Sequence, residues 1–130
     1  MFKISPINSK ELQKKYAAAC GAEYIPDFFA YSMIDSETDE LMGFSQFEIN
    51  ENGGFISDLR EKLGSPDDEA MFILGRATMN FIDLCGAHKC YARKNAGEAR
   101  LLHAIGFKEC ENELLFCDMT GMFDGKCSGH

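Results

Sequence analysis

The chain has 130 residues, an apolar fraction of 45% and a formal net charge of -8, enough length and apolar content for one domain with its own core. Acidic residues spread along most of the chain exclude nonspecific binding to nucleic acid or to an anionic membrane, because both require clustered Lys and Arg. No apolar run approaches the roughly eighteen residues of a membrane span, and the opening MFKISPINSK lacks the apolar centre of a signal peptide, so a cytoplasmic location is expected.

FKIS (2–5) reads as a first strand, and Ser9 as the N-cap of a helix over KELQKKYAAAC (10–20) that ends near Gly21. Pro26 then breaks the chain. DFFAYSMID (27–35) has strand composition, the polar SETDE makes a turn, and ELMGFSQFEIN (40–50) completes an antiparallel hairpin. A second turn at Asn52-Gly53-Gly54 leads into a third strand, GFISDLRE (54–61).

After Gly64 the period changes. Ala70, Ile73, Leu74, Ala77, Phe81 and Leu84 recur at helical spacing and predict a long helix closed by Gly86. Ser65 reads as its N-cap, Pro66 as its first helical residue and Asp68 as the partner in a variant capping box. HKCYARK (88–94) is a further strand, Asn95 opens a shorter helix over AGEARLLHAI (96–105) closed by Gly106, and ELLFCDMTGMF (113–123) supplies the last strand. Residues 1–123 form one domain in this reading, and DGKCSGH (124–130) is a loose tail. The order β α β β β α β α β predicts an α/β (α+β) fold, a mixed, mainly antiparallel sheet of about six strands with helices on both faces.

Six cysteines (20, 85, 90, 110, 117 and 127) form no CxxC pair and mostly sit in apolar surroundings. Buried thiols in a reducing compartment are expected, and no metal framework.

Several residues carry a family resemblance: Met42-Gly43-Phe44 in the hairpin, Ile56 to Leu59 in the third strand, and N-x-x-E-x-x-L-L-x-x-x-G-F from Asn95 to Phe107. Together with the element order, they make the chain resemble the GNAT superfamily of N-acetyltransferases, the acyl-CoA N-acyltransferase fold. The resemblance implies that GFISDLRE splays from HKCYARK to admit the pantetheine arm of acetyl-CoA, lined by Leu59, Arg60, Glu61 and Asn95. It also implies a following loop, Arg or Gln then x-x-Gly-x-Gly or Ala, that cradles the pyrophosphate. Counted from Leu59, those positions hold Pro66, Glu69 and Met71, and none matches. Glycine lets backbone approach phosphate oxygens, whereas Glu69 brings both bulk and negative charge. The family often has a Tyr seven residues after the Asn, able to protonate the departing thiolate, and here that place holds Leu102, which cannot donate a proton.

Deprotonating an amine acceptor needs a base. Asp58 and Glu61, on opposite faces of the third strand, and Glu48 on its hairpin neighbour are the carboxylates near the expected cleft, although a solvated surface role suits each of them. Asn95 also suits an N-cap, with Glu98 as its reciprocal partner. His88 and Cys90 share a strand face and His103 follows in the next helix, but no third ligand or orienting carboxylate is spaced near them, and Cys90 suits the core. Two functions follow. One is acetyl transfer from acetyl-CoA to a primary amine of a small molecule or peptide. The other is a non-catalytic relative with a degenerate phosphate loop, which keeps the fold as a ligand-binding or protein-interaction module.

Overall fold

The computed structural model describes residues 1–64 and 66–123. Ser65 and the tail from 124 onward, with Cys127, lie outside the described residues, as do the N-cap and loose-tail expectations that fall on them. The elements run β1 (Phe2–Pro6), α1 (Lys10–Ala19), β2 (Phe29–Asp35), β3 (Leu41–Asn50), β4 (Gly53–Glu61), α2 (Asp68–Leu84), β5 (Lys89–Arg93), α3 (Ala99–Ala104), β6 (Lys108–Glu109) and β7 (Leu114–Asp118). They build one seven-stranded sheet in the order β1-β2-β3-β4-β5-β7-β6, with every neighbouring pair antiparallel except β4 and β5. The fold class is the expected one, with one strand more than expected. The extra strand, β6, is two residues long, too short to show any alternation in the sequence.

Strand alternation on β3 distributes the helices over two faces. Phe44 packs in a small cluster with Ala17 and Cys20 of the α1 region, and Gln46 bonds Gln13 of α1. The intervening side chains go the other way, the Ser45 hydroxyl meeting Thr78 of α2 at 2.8 Å and the Phe47 ring meeting Phe81. A strand covered on both faces needs a continuous buried run, and residues 43–47 are all buried. The larger core lies between the sheet and α2, with Leu102 and Ile105 of the α3 region closing its end.

Helix α2 starts two residues later than its composition suggests. Asp67 is its N-cap, the side chain accepting from the Ala70 N–H at 3.0 Å, which places Asp68 at the first helical position. Its buried face is also rotated from the apolar stripe. The buried positions are Ala70, Met71, Leu74, Gly75, Thr78, Met79 and Ile82, whereas Ile73 is partly exposed and Leu84 is 76% exposed. Two of the residues that set this face score poorly as hydrophobes. Gly75 lets the helix approach so closely that a Cβ there would lie 2.8 Å from Ile105 Cδ1 and 3.0 Å from Leu59 Cδ2. Thr78 is accommodated because its hydroxyl reaches both Ser45 and the Leu74 carbonyl.

Helix α1 begins at Ser9, whose hydroxyl accepts from the Leu12 N–H at 3.2 Å, as its sequence implies. Helix α3 is shorter than expected. It starts at Ala99 with Glu98 at the cap, and Glu98 makes no side-chain capping bond.

Candidate ligand-binding cleft

Beta strands 4 and 5 pair in parallel over residues 54–56 and 90–92, and the ladder ends there. One residue later β4 carries a bulge. Gln46 faces Asp58 and Phe47 faces Ile56, which leaves Ser57 as the extra residue on β4. Beyond the bulge the strands part around a cleft of about 390 Å³ whose lining includes Leu59, Arg60, Glu61, Met71, Asn95 and Leu101. All four residues expected to line a cofactor, Leu59, Arg60, Glu61 and Asn95, therefore border one cavity.

The register beyond the bulge sends Asp58 and Glu61 to opposite faces, and only Glu61 borders the cleft. The Glu61 carboxylate accepts from the Asp67 N–H through Oε2 at 3.0 Å. Asp58 is buried on the α1 side, where Oδ2 accepts from Gln46 Nε2 at 3.0 Å and Oδ1 accepts from Arg60 Nε at 2.8 Å. The Ser57 hydroxyl lies within hydrogen-bond distance of both Asp58 Oδ2 and the Gln46 carbonyl. Gln46 extends the network, donating to the Glu23 carbonyl at 2.8 Å and accepting from Ile25 N–H and Gln13 Nε2. The side-chain polar groups of Gln46, Ser57 and Asp58 in this network all have partners, which is what burial demands. The network ties residues 23–28 to the sheet. Glu48 points elsewhere, toward Asn50 at the far end of β3, and does not border the cleft.

The gap between the strands is bridged by the chain itself. The Leu59 N–H donates to the Ala96 carbonyl at 2.7 Å, and Arg60 Nη2 donates to the Asn95 carbonyl at 2.7 Å. Gly97 sits so close that a Cβ on it would lie 2.3 Å from the Leu59 carbonyl oxygen. At the mouth, Arg100 reaches Asp68 at 3.1 Å and Glu98 at 3.5 Å, an exposed arrangement of little energetic weight. Asn95 is exposed in the turn before α3 and does not cap it, contrary to the N-cap expectation, because the helix starts only at Ala99. The reason is local: the backbone at 96 and 97 is held against β4, so it cannot wind the first helical turn. In the sequence a glycine inside N-x-x-E carries no signal; only the proximity of β4 gives Gly97 its meaning.

Leu102, at the place where the resemblance implies a Tyr, is fully buried in the core, while Leu101 borders the cleft. Cys90 is also fully buried, and His88 is exposed and held by Asp83 at 2.6 Å. His103 contacts the Phe107 carbonyl and Glu109. Among the described residues, no group of three or more His, Cys, Asp or Glu side chains is placed to hold a metal ion.

Cys20 borders the cleft from the end of α1. Burial pushes its thiol up to about 12, with Lys62 and Arg60 pulling partly the other way. Burial also raises Cys90 and Cys117, while Cys85 and Cys110 are exposed. Among the described cysteines, alkylation at pH 8 is therefore expected to modify Cys85 and Cys110 before Cys20, since a thiol near 12 keeps only about one part in ten thousand as reactive thiolate. Peptide mass mapping checks the order. The Cys20 shift also sets a sign for stability. An unfolded thiol ionises near 9, so its contribution is intact below that pH and is lost as pH climbs toward about 12.

A bulged β4 parting from a parallel β5, with the long α2 between them and one helix layer on each face, is the acyl-CoA N-acyltransferase (GNAT) fold. Solved structures agree. The chain superimposes on the IAA acetyltransferase from Bacillus cereus ATCC 14579 with a TM-score of 0.71 at 14% identity, covering 91% of this chain and 99% of that one. The ribosomal-protein-S18-alanine N-acetyltransferase from Escherichia coli gives 0.70 at 11% identity, over 92% and 94%. A Bacillus subtilis acetyltransferase in complex with CoA gives 0.68 at 13% identity, over 91% and 99%. No protein-family model matches the chain, and no curated protein matches its sequence. Among the described residues, no helix is long and apolar enough to cross a membrane.

Proposed function

We propose that this chain is a ligand-binding domain built on the N-acetyltransferase fold that has given up ordinary use of acetyl-CoA. The observation that carries this reading is the start of α2. There the Ala70 N–H, one of the helix's first amides, is taken by the Asp67 carboxylate, and the Asp67 N–H by Glu61. A diphosphate needs such amides free and close. It would also meet the carboxylates of Asp67, Asp68 and Glu69, and side chains where glycines would be needed. The residues present do not fit the diphosphate of a CoA. The bridged strand gap supports the same reading, because the Leu59 amide, which a pantetheine arm would face, is already bonded to Ala96.

Acetyl transfer from acetyl-CoA to a primary amine remains the second reading. It is favoured by the position of the cleft at the strand splay and by solved neighbours that hold CoA. Glu61, the carboxylate that borders the cleft, would then be the general base, with Leu59, Arg60, Glu61 and Asn95 lining the acyl carrier. Thermal unfolding with acetyl-CoA separates the two. A ligand at a hundredfold excess over its Kd stabilises by about 2.7 kcal/mol, or roughly 5 °C or more for a domain of this size. No shift beyond about 1 °C at millimolar acetyl-CoA is expected, and a saturable rise of several degrees would overturn the reading of a domain that has given up acetyl-CoA.

A further inference from the structure

We infer that Cys90 and Cys117 form a site for a soft monovalent cation, copper(I), with the Met122 thioether as a third, weaker donor and the Arg76 guanidinium as counter-charge. The site lies between β5, β7 and α2, so it is independent of how the cleft is read. The two cysteines are register partners on neighbouring antiparallel strands, which sends both side chains to one face of the sheet, and both are buried in the larger core. Directly opposed Cβ atoms stand about 4.5–5.5 Å apart. Two metal–thiolate bonds of about 2.3 Å set end to end span about 4.6 Å, so a cation fits between the two sulfurs without moving either strand. Cys90 Sγ lies against Gly54 and the Tyr91 carbonyl, and a χ1 rotation turns it toward β7.

The remaining donor comes from the segment after β7. A Cβ on Gly106 would lie 3.2 Å from both Cys117 Sγ and Met122 Cε, so the thiol and the end of the thioether chain share one small space. Thiolate and thioether ligands suit copper(I) and also zinc. Zinc needs four ligands, and among the described residues no group of three or more His, Cys, Asp or Glu is placed to supply them. Copper(I) is satisfied by two thiolates and a weak third donor.

Charge separates this site from a disulfide between the same cysteines. On binding, two S–H bonds break and two S–Cu bonds form, both protons go to solvent, and copper stays copper(I). The product carries one net negative charge, whereas a disulfide carries none. Arg76 is placed for the anion. Its guanidinium lies over the Phe72 and Phe123 rings at 5.8 and 5.1 Å, and its buried Nε has no hydrogen-bond acceptor. Among the described residues no carboxylate lies within ion-pair distance of it. Its field reaches the site: burial and Asp118 raise the Cys117 thiol, while Arg76 and Lys108 pull it down. An unpaired buried donor costs free energy, and an anionic thiolate centre supplies its missing partner.

The test is anaerobic titration of the whole chain with copper(I) against bicinchoninate, a chromophoric copper(I) chelator, in a Cys85→Ser, Cys110→Ser, Cys127→Ser background that removes three other thiols. One copper(I) per chain is expected to be retained, with an ultraviolet thiolate-to-copper band and a rise in the unfolding midpoint. Cys90→Ala and Cys117→Ala should each abolish retention. Arg76→Met keeps every thiol and an apolar chain between the two rings, and should weaken binding by roughly 10- to 100-fold; it decides alone if a cysteine variant does not fold. No retained copper, or an affinity unchanged in Cys117→Ala or Arg76→Met, would overturn the inference. So would a metal-free chain two hydrogen atoms lighter, with Cys90 joined to Cys117.

Discussion

A Gly97→Ala substitution is expected to destabilise the fold by about 2–3 kcal/mol, far more than an exposed loop position normally allows. The added methyl would stand 2.3 Å from the Leu59 carbonyl oxygen and 3.4 Å from its carbon. Both are backbone atoms of a central strand, so neither can rotate aside as a flexible side chain would. The segment 95–98 has to lift, and with it go the Leu59 N–H to Ala96 bond and the Arg60 contact to Asn95. Each such hydrogen bond contributes about 1 kcal/mol net, and lifting exposes part of Leu59, which is 1% exposed. Urea denaturation gives the stability change, and amide exchange at Leu59 identifies its source, because that one amide should lose protection while those of β2 and β3 keep theirs. A change below about 0.5 kcal/mol with Leu59 still protected would mean that the contact yields freely.

Asp58→Ala should cost about 3 kcal/mol, for a different reason. Removing the carboxylate strips Arg60 of its ion pair and leaves one Gln46 N–H and the Ser57 hydroxyl with fewer acceptors in a buried region. Arg60 is 31% exposed on its side chain and recovers part of its loss from water, so the larger share falls on Gln46 and on the 23–28 segment it holds. Asp58→Asn should lose about half as much, since one oxygen remains to accept. The pair also separates two roles. A residue that only holds the network changes stability in the order wild type, Asn, Ala. A general base would give two proteins of near wild-type stability, both without acetyl transfer. Denaturant midpoints together with an acetyl-transfer assay distinguish these outcomes.

The bulge at Ser57 links the two predictions. It rotates β4 so that Asp58 turns toward α1 while Leu59 and Glu61 face the cleft. Nothing in the sequence marks it, because serine in a strand is ordinary and the register is visible only against β3. The opposite placement of Asp58 and Glu61 was nonetheless readable from alternation, since both lie beyond the bulge. The side of the sheet each would take was not.

The sequence by itself determined what depends on neighbours along the chain. Turn residues, strand composition and the cap at Ser9 placed the element order, and the Asn95 to Phe107 pattern with the hairpin pointed to the fold. That Leu59, Arg60, Glu61 and Asn95 would lie close together was legible too, because strand order and the Asn95 to Phe107 pattern bring them to one end of β4. Tertiary structure alone decided the rest. The buried face of α2 is set by Gly75 and Thr78 against β3, β4 and Ile105, where close approach and a paired hydroxyl outweigh hydrophobicity. The late start of α3 is set by β4, which holds the backbone at 96 and 97 before a helical turn can form. In each case the deciding partner is distant in sequence, and an energy that arises from a contact cannot be read from one side of it.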